Sequence, residues 1–167
     1  MTDTSGERGL KTPEPSLLPI SAILLLYKRH PHNPTARPAH TFKMGDFQAV
    51  ATQFIELYYN QFDSDRKALG SLYRDNSMLT FESSSVLGTN AITEKLGSLP
   101  FEKVKHQVST LDAQPSNDQG GIIILITGQL LVDEEQRPMN FSQSFQLTRD
   151  ASGQYFVFND IFKLIFG

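Results

Sequence analysis

The first regular apolar pattern in the chain begins after residue 45 and has helical spacing. Its large apolar residues recur every three or four positions: Phe47, Val50, Phe54, Tyr58 and Phe62. Residues with this spacing share one face of an α-helix, while the polar residues between them face solvent. We therefore predict a first helix over residues 47–62. A second, short helix is expected through Arg66 and Lys67, ended by Gly70.

The period changes from helical to alternating near Pro100. The apolar residues before this proline have helical spacing: Ile92, Leu96 and Leu99. The residues after it recur at every second position: Val104, His106 and Val108. Because proline disfavours the helical conformation in the residue before it, we predict a third helix that stops at Leu99 and a strand that opens at Phe101.

The second half of the chain has the patterns of long strands. Residues 122–132 are apolar at nearly every position, so both faces of this strand are expected to be buried. Residues 139–148 alternate between apolar and polar, which predicts a half-buried strand. In the last strand, one face is predicted to carry Phe156, Phe158, Asp160, Phe162 and Leu164. Helices followed by hairpin-linked strands indicate an α+β fold, with the helices on one face of a strongly curved antiparallel sheet.

The corner between the third helix and the next strand predicts a hydrophobic pocket. A helix closing one end of a curved sheet would place these apolar residues near the mouth: Phe81, Leu99, Phe101 and Val104. Acidic residues flank it, with Glu82 at a strand end and a turn that holds Asp133, Glu134 and Glu135. An acidic turn alone indicates only solubility, but next to a pocket it is interpreted as an acidic rim.

Asp160 is a charged residue on an otherwise aromatic strand face. A buried carboxylate without a partner is costly, so we predict that it pairs with His106. Such a pair could act as a general base in a cavity, or it could be structural, and the structural interpretation is favoured. No metal-ligand spacing, nucleophile motif or Gly-rich phosphate loop accompanies the pair, so neither a metal nor a cofactor is expected.

Composition separates residues 1–43 from the rest of the chain. They hold six of the nine prolines and six Lys/Arg against three Asp/Glu, whereas residues 44–167 hold nine Lys/Arg against fifteen Asp/Glu. We predict a disordered, dispensable extension over 1–43 and a folded domain over 44–167. The apolar run Leu17–Tyr27 is shorter than the roughly 20 residues that span a bilayer, so no membrane insertion is expected. An acidic domain also argues against nucleic acid as a partner.

Several segments of residues 44–167 closely resemble the nuclear transport factor 2 family, fungal members above all. The matching segments are FIELYYNQFDSDRKALGSLY, SMLTFE, EKLGSLPFEKVKHQVSTLDAQP, ITGQLLVDEE and FVFNDIFKL. The resemblance implies a cone-shaped α+β fold, in which a strongly curved antiparallel sheet wraps on three helices and encloses a hydrophobic pocket. It also implies a non-enzymatic homodimeric carrier, found in cytoplasm and nucleus and concentrated at the nuclear pore.

The resemblance also implies partners and site residues. Members of this family bind the GDP form of the small GTPase Ran, which implies a Ran site made of Phe81, Glu82, Leu99, Phe101, Val104, Asp133, Glu135 and Phe162. They also bind Phe-x-Phe-Gly repeats of nucleoporins, for which Phe47 is the matching residue. Leu125 and Ile161 are the expected dimer contacts. Wider relatives include dehydratases and isomerases, so an enzyme that uses His106 and Asp160 is the alternative.

Overall fold

The computed structural model describes residues 46–135 and 137–166, of which Asp46 is described by its backbone alone. Two helices come first, two short strands and a third helix follow, and four long strands end the chain. The helices are α1 (Asp46–Ser64), a 3-10 helix (Arg66–Leu72) and α2 (Thr89–Gly97). The strands are β1 (Met78–Phe81), β2 (Ser84–Leu87), β3 (Val104–Pro115), β4 (Ile122–Val132), β5 (Met139–Arg149) and β6 (Tyr155–Ile165).

The six strands form one open sheet in the order β2-β1-β6-β5-β4-β3. Each neighbouring pair is antiparallel except β1 and β6, which run parallel with Leu79 opposite Asp160. The sheet is therefore mixed, not wholly antiparallel as predicted. Strand β6 ends the antiparallel series β3 to β6, and its free edge pairs in parallel with β1, which is second from the edge of the sheet.

Helix α1 lies against the inner face of the sheet and supplies much of the core. Its Tyr58 and Phe54 both make ring contacts with Phe145 of β5, at centroid distances of 4.7 and 5.1 Å. The inward residues of β4 are fully buried beneath it: Ile122, Ile124 and Ile126. Removing side chains of this size from water contributes roughly 1.5–3 kcal/mol each. The helical stripe and the strand alternation therefore meet in one core, which confirms the predicted α+β class.

The second helix differs from its prediction in type and length. It is a 3-10 helix that continues through Gly70 to Leu72, with Asp65 accepting a capping hydrogen bond from the amide of Lys67 at 3.1 Å. Gly70 does not end it. A Cβ at this position would lie 2.8 Å from Oγ1 of Thr93 in α2, so any larger residue would force the Thr93 side chain to shift, and glycine allows the close approach of the two helices.

The third helix and the next strand are further apart than predicted. Helix α2 ends at Gly97, two residues before Leu99, and β3 begins only at Val104. The predicted strand start at Phe101 is therefore wrong. The residues between form a loop over 98–103, which we call the corner loop. Pro100 enforces an extended backbone before it, but no neighbouring strand is in register to pair with the residues that follow.

Two features of the sheet have no clear signal in the sequence. Strand β2 has two serines, a half-buried Val86 and an exposed Leu87, and it forms because β1 turns back on itself through Glu82, whose φ is 57°. A bulge after Gln146 shifts the register with β6, so Val157 pairs with the buried Leu147. As a result Val157, and not Phe156 or Phe158, continues the inward face that holds Asp160, Phe162 and Leu164, and the prediction of one shared face fails at its first two members.

The outer face of the sheet carries apolar residues that the described chain leaves exposed. Leu125 and Ile161 are 47% and 49% exposed, and Ile123 of β4 is 44% exposed. Leu125 and Ile161 both lie opposite Ser144 of β5, so they belong to one row across three strands. Residues 122–132 were expected to be buried on both faces. Within the described chain, only their inner face is buried.

The extension over 1–43 lies outside the described residues. The predictions made for it, including the one for Leu17–Tyr27, therefore concern a part of the chain on which the structure is silent. No helix among residues 46–135 and 137–166 combines the length and apolar character that crossing a membrane requires.

Candidate binding site at the acidic rim

The corner loop and the β4–β5 turn face each other across an open depression. Its volume is about 710 Å³, and its lining combines apolar and charged residues: Pro100, Phe101, Val132, Asp133, Glu134, Glu135 and Arg137. We call it the rim depression. It brings together Phe101, Asp133 and Glu135, which are three of the eight residues expected to bind a partner. An apolar floor beside three carboxylates can bind an apolar side chain that is flanked by cationic ones.

Asp133 fixes the geometry of the rim through its backbone and its side chain. It lies in the left-handed region with φ at 49°, and its amide donates to the carbonyl of Lys103 at 2.9 Å. Its Oδ1 accepts hydrogen bonds from the amides of Glu102 and Lys103, each at 2.9 Å. The Asp133 carboxylate therefore helps to fold the corner loop as well as adding negative charge to the rim.

The two glutamates of the same turn are freer than Asp133. The carboxylate of Glu134 lies 3.6 Å from Nζ of Lys103, in a pair whose side chains are 92% and 77% exposed, so this ion pair contributes little to stability. Glu135 is held through its amide, which donates to the carbonyl of Val132 at 3.0 Å. Within the described residues, its exposed carboxylate makes no hydrogen bond or ion pair, so it is available to a partner.

Glu82 does not line the rim depression. Its carboxylate accepts from the amide of Leu164 at 2.5 Å, and its own amide donates to the carbonyl of Phe162 at 3.0 Å. These bonds tie the β1–β2 turn to the end of β6. Glu82 is half-buried, so it is both a surface carboxylate and a link between two strands.

The remaining predicted wall residues divide between the surface and the core. Phe81 is half-buried and stacks on Phe162, with ring centroids 4.6 Å apart and planes 6° apart. Phe162 in turn stacks on Phe141 at 5.5 Å and is 3% exposed, so it supports the Phe81 ring from within. Val104 is buried at the start of β3, and Leu99 is half-buried in the corner loop. None of these residues lines the rim depression.

The predicted pair between His106 and Asp160 is wrong. Asp160 is fully buried and accepts three hydrogen bonds, from the hydroxyls of Tyr73 and Tyr58 at 2.7 and 3.0 Å and from Nε2 of Gln143 at 2.7 Å. Burial raises the pKa of the Asp160 carboxyl to about 6, although the three donors act in the opposite direction. Burial, and then the nearby Asp160, likewise raises the pKa of the Tyr58 and Tyr73 hydroxyls well above its usual value.

His106 pairs instead with Asp63 at the end of α1. Its Nδ1 lies 2.6 Å from Oδ1 of Asp63, and its amide donates to Oδ2 at 2.9 Å. Its side chain is 3% exposed, and the imidazole is stacked on Tyr59 and enclosed by the rings of Phe62 and Phe141. A substrate would have to displace these rings to reach it. This histidine therefore joins α1 to β3. Because His106 and Asp160 do not pair, the structure does not support an enzyme site made of these two residues.

Three residues that shape the site have no signal in the sequence. Arg66 bonds the corner loop, Asp63 holds His106, and Arg137 adds a cation to the rim. An arginine and an aspartate at helix ends normally indicate solvated positions, so the residue types gave no signal for these contacts. Among residues 46–135 and 137–166, no group of three His, Asp or Glu side chains could hold a metal ion.

The fold and the site define a small α+β module that offers an open depression with an acidic rim and an exposed sheet face. Residues 50–164 match the family described as Nuclear transport factor 2 (NTF2) domain. The chain belongs to this family. It is 68% identical over 120 residues to Nuclear transport factor 2 of Neurospora crassa, which covers 72% of this chain and 96% of that relative. Relatives from other fungi carry the same name, so the chain has a role in nuclear transport and is not an enzyme.

Solved structures agree on the fold. Nuclear transport factor 2 from Cryptosporidium parvum is 36% identical, with a TM-score of 0.68 over 72% of this chain and 96% of that one. A scytalone dehydratase of Novosphingobium aromaticivorans, described as putative, has a TM-score of 0.58 at 12% identity, covering 71% of this chain and 85% of that one. At that identity the likeness concerns the fold alone.

Proposed function

We propose that this chain is a carrier of the GDP form of Ran, which it returns to the nucleus through the nuclear pore. The observation that carries the proposal is the rim depression, where Phe101 and Val132 lie beside Asp133, Glu134 and Glu135. This surface complements an aromatic side chain flanked by basic residues. Membership of the nuclear transport factor 2 family supports this choice of partner.

The expected strength of binding suits a carrier that must release its cargo. Burying one aromatic side chain of the partner contributes roughly 1.5–3 kcal/mol. Each exposed ion pair at the rim adds about 0.2–1 kcal/mol, and association entropy offsets part of the total. The interaction is therefore reversible, and added salt should weaken it because the rim carboxylates are exposed.

A charge reversal at Glu135 tests the proposal without disturbing the fold. Because the Glu135 carboxylate is exposed and makes no bond within the described chain, Glu135→Lys should leave the melting temperature unchanged. Binding of GDP-loaded Ran, measured by isothermal titration calorimetry, should weaken by roughly tenfold or more, the effect of placing like charges across an interface.

The matched control is Glu56→Lys, which makes the same charge change on an exposed position of α1, away from the rim. It should bind GDP-loaded Ran like the wild-type chain. Equal binding by Glu135→Lys and wild type would remove the rim from the site.

We propose two further contacts for the same carrier. Phe47 is half-buried on the first turn of α1 and is assigned to Phe-x-Phe-Gly repeats of nucleoporins. The exposed outer face around Leu125 and Ile161 is assigned to a second copy of the chain, as a sheet-against-sheet homodimer. With these contacts the carrier would be found in cytoplasm and nucleus and would concentrate at the nuclear pore.

A further inference from the structure

The corner loop has no secondary structure of its own, yet it forms one wall of the rim depression. Its residues lie between the end of α2 at Gly97 and the start of β3 at Val104. Backbone carbonyls and amides in such a segment need hydrogen-bond partners from elsewhere. Those partners determine how the Phe101 ring faces the depression.

Arg66 of the 3-10 helix supplies the partners on one side of the corner loop. Its Nη2 donates to the carbonyl of Phe101 at 2.6 Å and to the carbonyl of Glu102 at 3.1 Å. The same guanidinium lies over the Phe101 ring, with its central carbon 4.8 Å from the ring centroid. One side chain therefore holds both the backbone and the aromatic ring of the residue that lines the depression.

Asp133 supplies the partners on the other side of the loop, through the amides of Glu102 and Lys103. The peptide segment 101–103 is thus clamped between the Arg66 guanidinium, which donates to its carbonyls, and the Asp133 carboxylate, which accepts from its amides. Arg66 and Asp133 reach this segment from elements that are far apart in sequence, the 3-10 helix and the β4–β5 turn.

The contacts of Arg66 require a guanidinium. Its planar group can donate to two carbonyls in one direction while its face covers a ring, whereas the ammonium of lysine is a point charge that cannot do both. Within the described residues no carboxylate lies within ion-pair distance of Arg66, and its Nη1 is buried without a hydrogen-bond partner. Its charge is therefore directed at the loop and not at an acidic side chain.

Resting on the function proposed above, we infer that Arg66 is a positioning residue for the docking of GDP-bound Ran. It acts through Phe101, by fixing the orientation of that ring at the wall of the rim depression. It does not need to touch the partner. The residue that contacts the partner and the residue that sets the geometry are therefore on different elements.

A double-mutant cycle between Arg66 and Phe101 tests this inference. Isothermal titration calorimetry with GDP-loaded Ran is applied to the wild type, Arg66→Lys, Arg66→Gln, Phe101→Ala and Arg66→Gln with Phe101→Ala. Both Arg66 variants should weaken binding, by roughly tenfold, the effect of losing one set of charge-assisted hydrogen bonds. In the Phe101→Ala background, Arg66→Gln should cause no further loss, because the ring through which it acts is gone.

The matched control is Lys67→Gln, which removes a charge from the next residue of the same 3-10 helix, where the side chain is exposed. It should bind like the wild type. Arg66→Lys keeps the charge and is the variant expected to fold best, so it carries the test if Arg66→Gln unfolds. Wild-type binding by Arg66→Lys, or equal losses from Arg66→Gln in both backgrounds, would overturn the inference.

An NMR measurement separates this inference from the proposed function. If the wild-type chain fails to bind GDP-loaded Ran, the proposed function is wrong, but the aromatic resonances of Phe101 still report the clamp. They should move and broaden in Arg66→Lys and stay unchanged in Lys67→Gln. Unchanged Phe101 resonances in Arg66→Lys would show that Arg66 does not position the ring.

Discussion

Asp160 places a carboxylate in the apolar core, where three neutral donors face it. The donors are the hydroxyls of Tyr58 and Tyr73 and the amide of Gln143, whose Oε1 in turn accepts from the hydroxyl of Tyr59 at 2.9 Å. Desolvation penalises the charged form more than these bonds stabilise it, so the pKa of the carboxyl rises from 3.8 to about 6. Between about pH 4 and 6, the native chain therefore holds a proton on Asp160 that the unfolded chain has lost.

The raised pKa of Asp160 predicts how stability depends on pH. Below about pH 4 the carboxyl is protonated in both states, and between about pH 4 and 6 it is protonated in the folded state alone. Its contribution to the free energy of unfolding is therefore greatest at low pH and is lost as the pH rises through 6. The change is on the order of 3 kcal/mol.

Urea denaturation of the wild type and Asp160→Asn measures this effect. The difference in free energy of unfolding between the two chains should be larger at pH 4.5 than at pH 7.5, because asparagine does not titrate. Comparing the two chains cancels the other titrating groups, including Asp150, whose pKa is lowered to about 2 mainly by the Ser152 hydroxyl. A difference that is the same at both pH values would contradict the assignment.

Phe47 should contribute to the binding of nucleoporin repeats and not to the binding of Ran. It lies on the first turn of α1 and is half-buried, so part of its ring is available. Phe47→Ala should weaken binding of a Phe-x-Phe-Gly peptide by roughly tenfold, as expected for an aromatic contact at an interface. Fluorescence anisotropy with a labelled peptide measures it, with Gln48→Ala on the same turn as the control. Equal losses of peptide and Ran binding would show that Phe47 is structural.

The sequence identifies the residues of this site better than it identifies their contacts. It marks Asp160 as anomalous because a carboxylate interrupts an apolar face, and the structure confirms that Asp160 is buried among apolar residues. It assigns the wrong partner because Tyr58 and Tyr73 are treated as apolar residues in the spacing patterns. Their hydroxyl groups, which donate to Asp160, do not affect those patterns. Likewise Asp63 ends a helix in the sequence, and only the packing of α1 on β3 reveals it as the partner of His106.

At the scale of elements, periodicity predicts the long pieces of the fold and misses the short ones. Helix α1 and strands β4 to β6 follow from apolar spacing, since burial on one face dictates which residues must be apolar. Strand β2 is held mainly by pairing with β1, and none of its four residues is fully buried, so its sequence carries no such pattern. The bulge after Gln146 and the parallel pairing of β1 with β6 are tertiary features that the pattern of a single strand cannot contain.

The exposed apolar residues on the outer face of β4 to β6 predict that the chain forms a homodimer through this face. Leu125→Glu puts a carboxylate in the middle of the exposed apolar row that includes Ile161, and burying it against a second copy without a partner would be costly. Size-exclusion chromatography with light scattering should show a dimer for the wild type and a monomer for this variant. Gln53→Glu adds the same charge to an exposed position of α1 and should stay dimeric. A folded, dimeric Leu125→Glu would rule out this face as the interface.

At the scale of the whole molecule, residues 1–43 and the acidic remainder differ in composition and in charge. The family match covers residues 50–164 and leaves the extension unmatched. Ordering a chain segment costs roughly 1–2 kcal/mol per residue, and only Leu17–Tyr27 offers a continuous apolar run against that cost. A chain that starts at Met44 should therefore keep the melting temperature, the dimer and Ran binding of the full chain. A lower melting temperature or weaker binding after truncation would show that the extension contributes to the folded protein.

The function proposed for this chain requires that it binds the GDP form of Ran in preference to the GTP form. Isothermal titration calorimetry of the full wild-type chain with Ran, loaded either with GDP or with a non-hydrolysable GTP analogue, measures this preference. We expect saturable binding to the GDP form, weaker at high salt and weaker in Glu135→Lys, together with no measurable binding to the GTP form. Equal binding to both forms, or no binding to the GDP form, would show that the proposed function is wrong.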